Sequence, residues 1–148
     1  MNQKTENSLH GGHPWPKQSK RTAGKLSLNY EEGNLRNISV GNTEILRMIY
    51  FAVRDKEWMT VKPEIKDEQD LTDPESFFIR FEARFRSDEI NFLAYISISG
   101  KSDNRLIFSF EGEALSTFKK NRIGLCVLHP VVECAGKSCI IEHTDGTT

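Results

Sequence analysis

Polar and apolar residues alternate most regularly in FFIRFEARFR, where Phe77, Ile79, Phe81, Ala83 and Phe85 share one parity and Arg80, Glu82, Arg84 and Arg86 the other. A period of two separates the faces of an extended strand, not of a helix. The following INFLAYISIS places Ile90, Phe92, Ala94, Ile96 and Ile98 on one face. The short Ser87-Asp88-Glu89 link makes the two runs antiparallel neighbours. Burying each large apolar side chain on the shared face is worth about 1.5 to 3 kcal/mol, so this hairpin is expected to supply much of the core.

The signal extends in both directions. In KLSLNY apolar residues alternate, EEGN supplies a turn, and LRNISV alternates again before a turn at Gly41-Asn42, which predicts another hairpin. EILRMIYFAVRD scarcely alternates and is rich in β-branched and aromatic residues, as in a strand buried on both faces; a helix is the rival reading. Past a turn at Gly100 to Asn104, RLIFSFEGEALSTF reads as a strand with Leu106, Phe108 and Phe110 facing one way and Gly112 marking a bulge or corner. RIGLCVLH and KSCIIEH read as further strands, and KPEIKDEQDLTDPES as a long polar loop around an edge.

No amphipathic helix of three turns, heptad or internal repeat interrupts this pattern. The predicted fold is all-β, an antiparallel meander forming a β-sandwich over residues 25–148. Residues 1–24 carry almost no apolar side chain able to offset the entropy of ordering them and read as a disordered basic tail. At the other end, His143-Thr144-Asp145-Gly146 reads as a turn that should lead into another strand. The expectation is an incomplete domain with an open edge, the front part of something larger.

Composition narrows the function. A chain of 148 residues, 37% hydrophobic and 28% charged, is long enough for one core. Its formal net charge of -1 provides no field to gather a polyanion, so nucleic acid is disfavoured as a partner. No run reaches the roughly 18 apolar residues of a membrane span, and no secretory signal opens the chain, so the reading is cytoplasmic with no membrane partner. Three cysteines, an odd number, suit reduced thiols better than a disulfide framework.

Candidate chemistry is sparse. Cys126, His129, Cys134, Cys139 and His143 give a C-x2-H-x4-C-x4-C-x3-H spacing rich enough for tetrahedral zinc. Cys126 and Cys139 lie inside apolar runs where cysteine serves as a small hydrophobe, so no metal or other cofactor is expected and that cluster stays a minor alternative. His10 and His13 cannot complete a ligand set. The odd spacing of Cys126 and His129 sends their side chains to opposite faces of a strand. Ser116, Asp55, Asp145, His129 and His143 could supply a hydrolytic triad, but no nucleophile elbow accompanies them.

Lys119, Lys120, Asn121 and Arg122 form a polar lip before an apolar strand, where a guanidinium and an amide could meet a carboxylate or oxyanion. Surface pairing is the commoner use of such residues. Arg54 and Trp58 are the candidate ligand-binding pair, with Tyr50 and Tyr95 as further stacking aromatics.

Taken together, LRMIYFAVRDKEW (Leu46 to Trp58), STFKKNRIGLCVLHP (Ser116 to Pro130) and IEHTDG (Ile141 to Gly146) resemble the N-terminal β-domain of the D-apionate lactonase family. Met59 departs from the glycine that usually follows the tryptophan there. The resemblance implies that this β-domain precedes a TIM-barrel domain and a further β-domain, and that the whole enzyme opens a sugar-acid lactone. Barrel catalysis sits at the C-terminal ends of the barrel strands, so the resemblance implies that the catalytic residues lie outside this chain. Asn121, Arg122 and His129 are then accessory candidates at a domain interface, and the partner is an intramolecular barrel. The rival is a non-catalytic carbohydrate-binding or structural β-module.

Overall fold

The hairpin foreseen from alternation forms as β6 (Ser76–Arg86) and β7 (Asn91–Lys101) in the computed structural model, which describes residues 16–148. Its register pairs Phe77 with Gly100, Phe81 with Ile96 and Phe85 with Phe92, so the whole apolar parity of both strands falls on one face. β5 (Pro63–Thr72) and β8 (Leu106–Ala114) flank it in a four-stranded sheet of order β5-β6-β7-β8. A second sheet runs β1 (Ser19–Ala23), β2 (Leu26–Glu31), β3 (Asn34–Val40), β4 (Thr43–Asp55) and then β9 (Lys120–Leu128). All the pairings are antiparallel. The chain therefore builds one meander, builds a second, and returns through β9 to pair with β4.

The two sheets close on one core. Leu26, Leu28, Tyr30, Leu35, Ile49, Phe51 and Val53 from the first sheet pack with Phe77, Ile79, Phe81, Phe85, Phe92 and Ile96 from the second. Phe51 joins the layers most directly, with ring centroids 5.7 Å from Phe85, 6.3 Å from Phe92 and 4.6 Å from Phe110. Such aromatic pairs add about 0.5 to 1.5 kcal/mol each beyond area burial. Among the described residues Glu31 is the buried charged one, and its carboxylate accepts hydrogen bonds from Gln18 Nε2 and from Arg36 Nε at 2.8 Å, the pairing that a buried charge requires. At the turn into β6, Asp73 accepts from Ser76 Oγ and from the backbone amides of Glu75 and Ser76. Those bonds, the Ser76 hydroxyl foremost, hold its carboxyl below the ordinary range.

Several expectations change. β1 lies inside the segment expected to be a disordered tail: its register on β2 pairs Arg21 with Leu28 and Ser19 with Tyr30, so ladder hydrogen bonds and an Arg21–Asp70 ion pair replace the missing apolar residues. Residues 1–15, which hold His10 and His13, lie outside the described residues. The expected polar loop at 62–76 is largely strand β5, an edge strand whose outward side chains are mostly polar because water covers them. Strand β4 is buried at consecutive positions only over Phe51, Ala52 and Val53; its first half alternates between exposed and half-buried. KSCIIEH forms no strand, and the chain after Leu128 holds a single-turn helix α1 (Val131–Cys134) followed by irregular structure. The turn at Thr144 and Asp145 is present, closed by hydrogen bonds from the His143 amide to the Thr147 carbonyl and from the Gly146 amide to the His143 carbonyl.

Gly112 marks neither bulge nor corner, because the β7–β8 register runs unbroken through it. The reason for glycine is proximity: a Cβ there would stand 2.4 Å from the Phe92 ring, and one at Gly100 would stand 2.2 Å from the Phe77 ring. Each ring lies over a cross-strand glycine that leaves it room. Gly100→Ala is expected to destabilise the domain by about 1 to 3 kcal/mol through overpacking, read as a lower urea midpoint with an unchanged slope. An unchanged midpoint would show that the Phe77 ring has another place to go.

Candidate functional site

The end of the β4–β9 ladder gathers most of the polar residues singled out in the sequence. Register places Arg54 opposite Arg122 and Asp55 opposite Lys120. Between β4 and β5 the chain makes a tight turn in which Asp55 Oδ1 accepts from the amides of Glu57 and Met59, each at 2.9 Å. The backbone closes the same turn from Trp58 N to Asp55 O at 3.2 Å and from Asp55 N to Met59 O at 3.0 Å. Trp58 takes a left-handed φ of 69° there, a conformation an indole side chain adopts only when its surroundings hold it. Met59 sits just beyond, exposed, so the methionine that departs from glycine costs no core packing.

Arg54 links the aromatics. Its Nη2 donates to the Tyr50 hydroxyl at 3.2 Å, and its guanidinium carbon lies 6.0 Å from the centroid of the Trp58 ring, within range of a cation–π contact. Asn121 Nδ2 reaches the Lys56 carbonyl at 3.3 Å, and Arg122 Nη2 the Leu125 carbonyl at 3.3 Å. Lys56 also pairs with Glu89 at 2.8 Å; the hydrogen bond to Glu89 is the main cause of its raised pKa. Among the described residues neither Arg54 nor Arg122 has a carboxylate partner. Two guanidinium side chains directly opposite each other in a ladder repel, so this end of the sheet favours an acidic group.

Other candidates are not brought together. Cys126 is buried opposite Tyr50, whereas Cys134, Cys139, His129 and His143 are exposed. Among the described residues no group of three or more His, Cys, Asp or Glu converges as a metal site, and the four-ligand alternative of Cys126, Cys134, Cys139 and His143 does not assemble. Asp55 is committed to its turn and Asp145 to the Thr147 hydroxyl and amide, which leaves neither to orient a histidine. The aromatics also divide: Tyr95 stands half-exposed on the other sheet, away from Tyr50 and Trp58.

A feature that residue pattern did not disclose is a cavity of ≈ 810 Å³ at one end of the sandwich. Met48, Phe51, Val61 and Ile65 supply its apolar lining, and Tyr50 shares it with the Arg54 cluster. On its wall the Tyr30 hydroxyl donates to Glu68, and Arg21 lies 5.8 Å over the Tyr30 ring while pairing with Asp70. Burial, aided by the Glu68 carboxylate, pushes Tyr30 ionisation far above its ordinary value, so the phenol remains a neutral donor. The cavity unites residues of β1 through β5, two of which read as tail and loop in the sequence.

This geometry defines a two-sheet antiparallel β-domain with an exposed cationic lip and an end cavity, and with no assembled catalytic group among the described residues. A family model for the N-terminal domain of D-apionate lactonase matches residues 8–148, and the chain belongs to that family. A D-apionate lactonase from Brucella anthropi is 36% identical over 126 residues, which cover 84% of this chain and 21% of that protein. The chain thus spans about a fifth of the length of that relative. No solved structure matches the chain.

The hydrogen bonds at the lip rank its residues. Asp55→Ala frees two backbone amides and is expected to cost about 1 to 2 kcal/mol, while Asn121→Ala, losing one exposed bond, is expected to cost under about 1 kcal/mol. Urea denaturation of both variants checks the order; equal losses would mean that the turn is held by something other than Asp55.

Proposed function

We infer that this domain is the accessory N-terminal β-domain of a sugar-acid lactone hydrolase, a cytoplasmic enzyme of the D-apionate lactonase kind whose catalytic groups sit in a barrel domain. The observation that carries this reading is the family match over residues 8–148 combined with a relative of which the matching segment is only 21%. Opening a lactone calls for a base to activate water, donors for a tetrahedral oxyanion and an acid for the leaving alkoxide. Asp55 and Asn121 are occupied in structural bonds, and His129 has no side-chain hydrogen bond among the described residues, so the domain's part in that chemistry is to seat and orient its neighbour.

The surface supports such a seat. Val127, Leu128, Val131, Val132, Ile140 and Ile141 are all exposed, Val132 and Ile140 at 87%. Exposed large apolar side chains in this number suit an interface better than water. Arg54 and Arg122 supply cations for an acidic side chain of the adjoining domain, and Trp58 offers a large flat contact. The rival reading, a free-standing carbohydrate-binding module with Trp58, Tyr50 and Tyr95 as platforms, is weakened by the separation of Tyr95 from the other two.

A domain exchange tests the reading. Residues 8–148, placed in the Brucella anthropi enzyme in exchange for its matching segment, are expected to leave hydrolysis of the D-apionate lactone within about tenfold of the parent, while the 148-residue chain alone shows none. Val132→Asp with Ile140→Asp in the exchanged enzyme is expected to lower its thermal midpoint without changing the fold of the isolated domain. Turnover by the isolated chain, lost on Arg122→Ala or His129→Ala, would place catalysis in the β-domain and overturn the reading.

A further inference from the structure

The two sheets leave four edge strands, β1 and β9 in one and β5 and β8 in the other. On one side of the sandwich the sheets are laced together: Arg21 of β1 pairs with Asp70 of β5, and the Tyr30 hydroxyl of β2 donates to Glu68 of β5. The charged side chains of β5 and its register shift between Lys66 and Gln69 also keep that edge from recruiting another strand. The opposite side differs. Leu125 of β9 is the ladder partner of Phe51, whose ring centroid lies 4.6 Å from that of Phe110 on β8, so β8 and β9 border the same stretch of core. Among the described residues no hydrogen bond or ion pair joins these two strands.

Two inward side chains there lack cover. Val127 pairs with Ile49 and Phe110 with Ile96, both partners buried in the core, yet Val127 is 46% and Phe110 40% exposed. Directly opposed residues share a face, so each points into a layer that is incompletely filled. The edge of β9 is also bare. β8 carries Glu111 and Glu113, whereas β9 after Arg122 has neither charge nor proline from Ile123 to Leu128. Among the described residues its backbone pairs with β4 alone. Alternate amides and carbonyls of that run therefore face away from the ladder without a main-chain partner.

We propose that the free edge of β9 takes a strand of the adjoining domain, antiparallel like every other pairing here, which extends the five-stranded sheet and covers Val127 and Phe110. Main-chain bonds to a sheet edge, with alternate side chains giving specificity, are a general way to recruit an extended segment. The strand is apolar on the parity that meets Val127 and Phe110. It is acidic where it passes Arg122, because Arg122 faces Arg54 on its other side and neither has a carboxylate partner among the described residues. The β9 of a second copy meets the first demand and fails the second, since KNRIGLCVL holds no acidic residue. That the strand belongs to the adjoining domain rests on the accessory-domain reading; the demand for a strand rests on the edge itself.

Two measurements test it. In amide NMR of the 148-residue chain, the capped peptide Thr-Val-Thr-Val-Thr-Val-Glu is expected to shift Ile123 to Leu128 saturably, with its glutamate opposite Arg122. Replacing that glutamate by lysine is expected to weaken binding severalfold, and Arg122→Glu to reverse the preference, which a merely structural arginine would not do. In the Brucella anthropi enzyme carrying residues 8–148, the outward amides of β9 are expected to exchange hydrogen at least tenfold more slowly than in the chain alone. Absent shifts, shifts indifferent to the charge swap, or β9 amides that respond to dilution because copies pair with each other would overturn the proposal. So would unslowed β9 amides in a hybrid enzyme that hydrolyses the lactone, a result that leaves the accessory-domain reading standing. Peptide binding that reverses with Arg122→Glu, beside a hybrid enzyme without hydrolysis, would support the edge site and sink the accessory-domain reading alone.

Discussion

The contact of the Phe51 ring with Phe85, Phe92 and Phe110 is the interaction on which the domain depends, because it ties β4 of one sheet to β6, β7 and β8 of the other. A single sheet with one apolar face has no stable way to meet water, and two such faces solve the problem for each other. Fixing Phe51 inward fixes the parity of β4 at that point, so Arg54, three residues on, takes the opposite face. Phe51 also lines the cavity. Core, cationic lip and cavity are thus set by one strand and its register.

Period-two alternation was enough to read the inward faces of β6 and β7, because one parity of each is dry along its length; the opposite parity is wetter, with Leu93 of β7 as the buried exception. It failed where one condition was missing. β1 and β5 are edge strands with little buried surface, and their stability comes from ladder bonds and cross-sheet pairs such as Arg21–Asp70, which a linear sequence does not display. KSCIIEH has the composition of a strand, yet Ile140 and Ile141 stand exposed with no strand beside them among the described residues. Gly112 was read as an irregularity because a glycine in a strand usually marks one; the Phe92 ring above it is visible only once the strands are paired.

The candidate site was legible in part. Arg54, Trp58, Asn121 and Arg122 converge because β4 and β9 pair in the register that sets Arg54 against Arg122. The cavity was not legible, since its lining comes from segments far apart in the chain and includes the two strands that alternation missed. The matching segment is 21% of a D-apionate lactonase.

Native-state hydrogen exchange on Phe51→Ala measures most directly whether the two sheets stand or fall together. Removing that ring from a packed interface costs about 3 to 5 kcal/mol. If Phe51 couples the layers, amides in β2 to β4 and amides in β6 and β7 lose protection by the same free energy, as one cooperative unit. Loss confined to β2 to β4, with the β6–β7 hairpin keeping its full protection, would contradict the account.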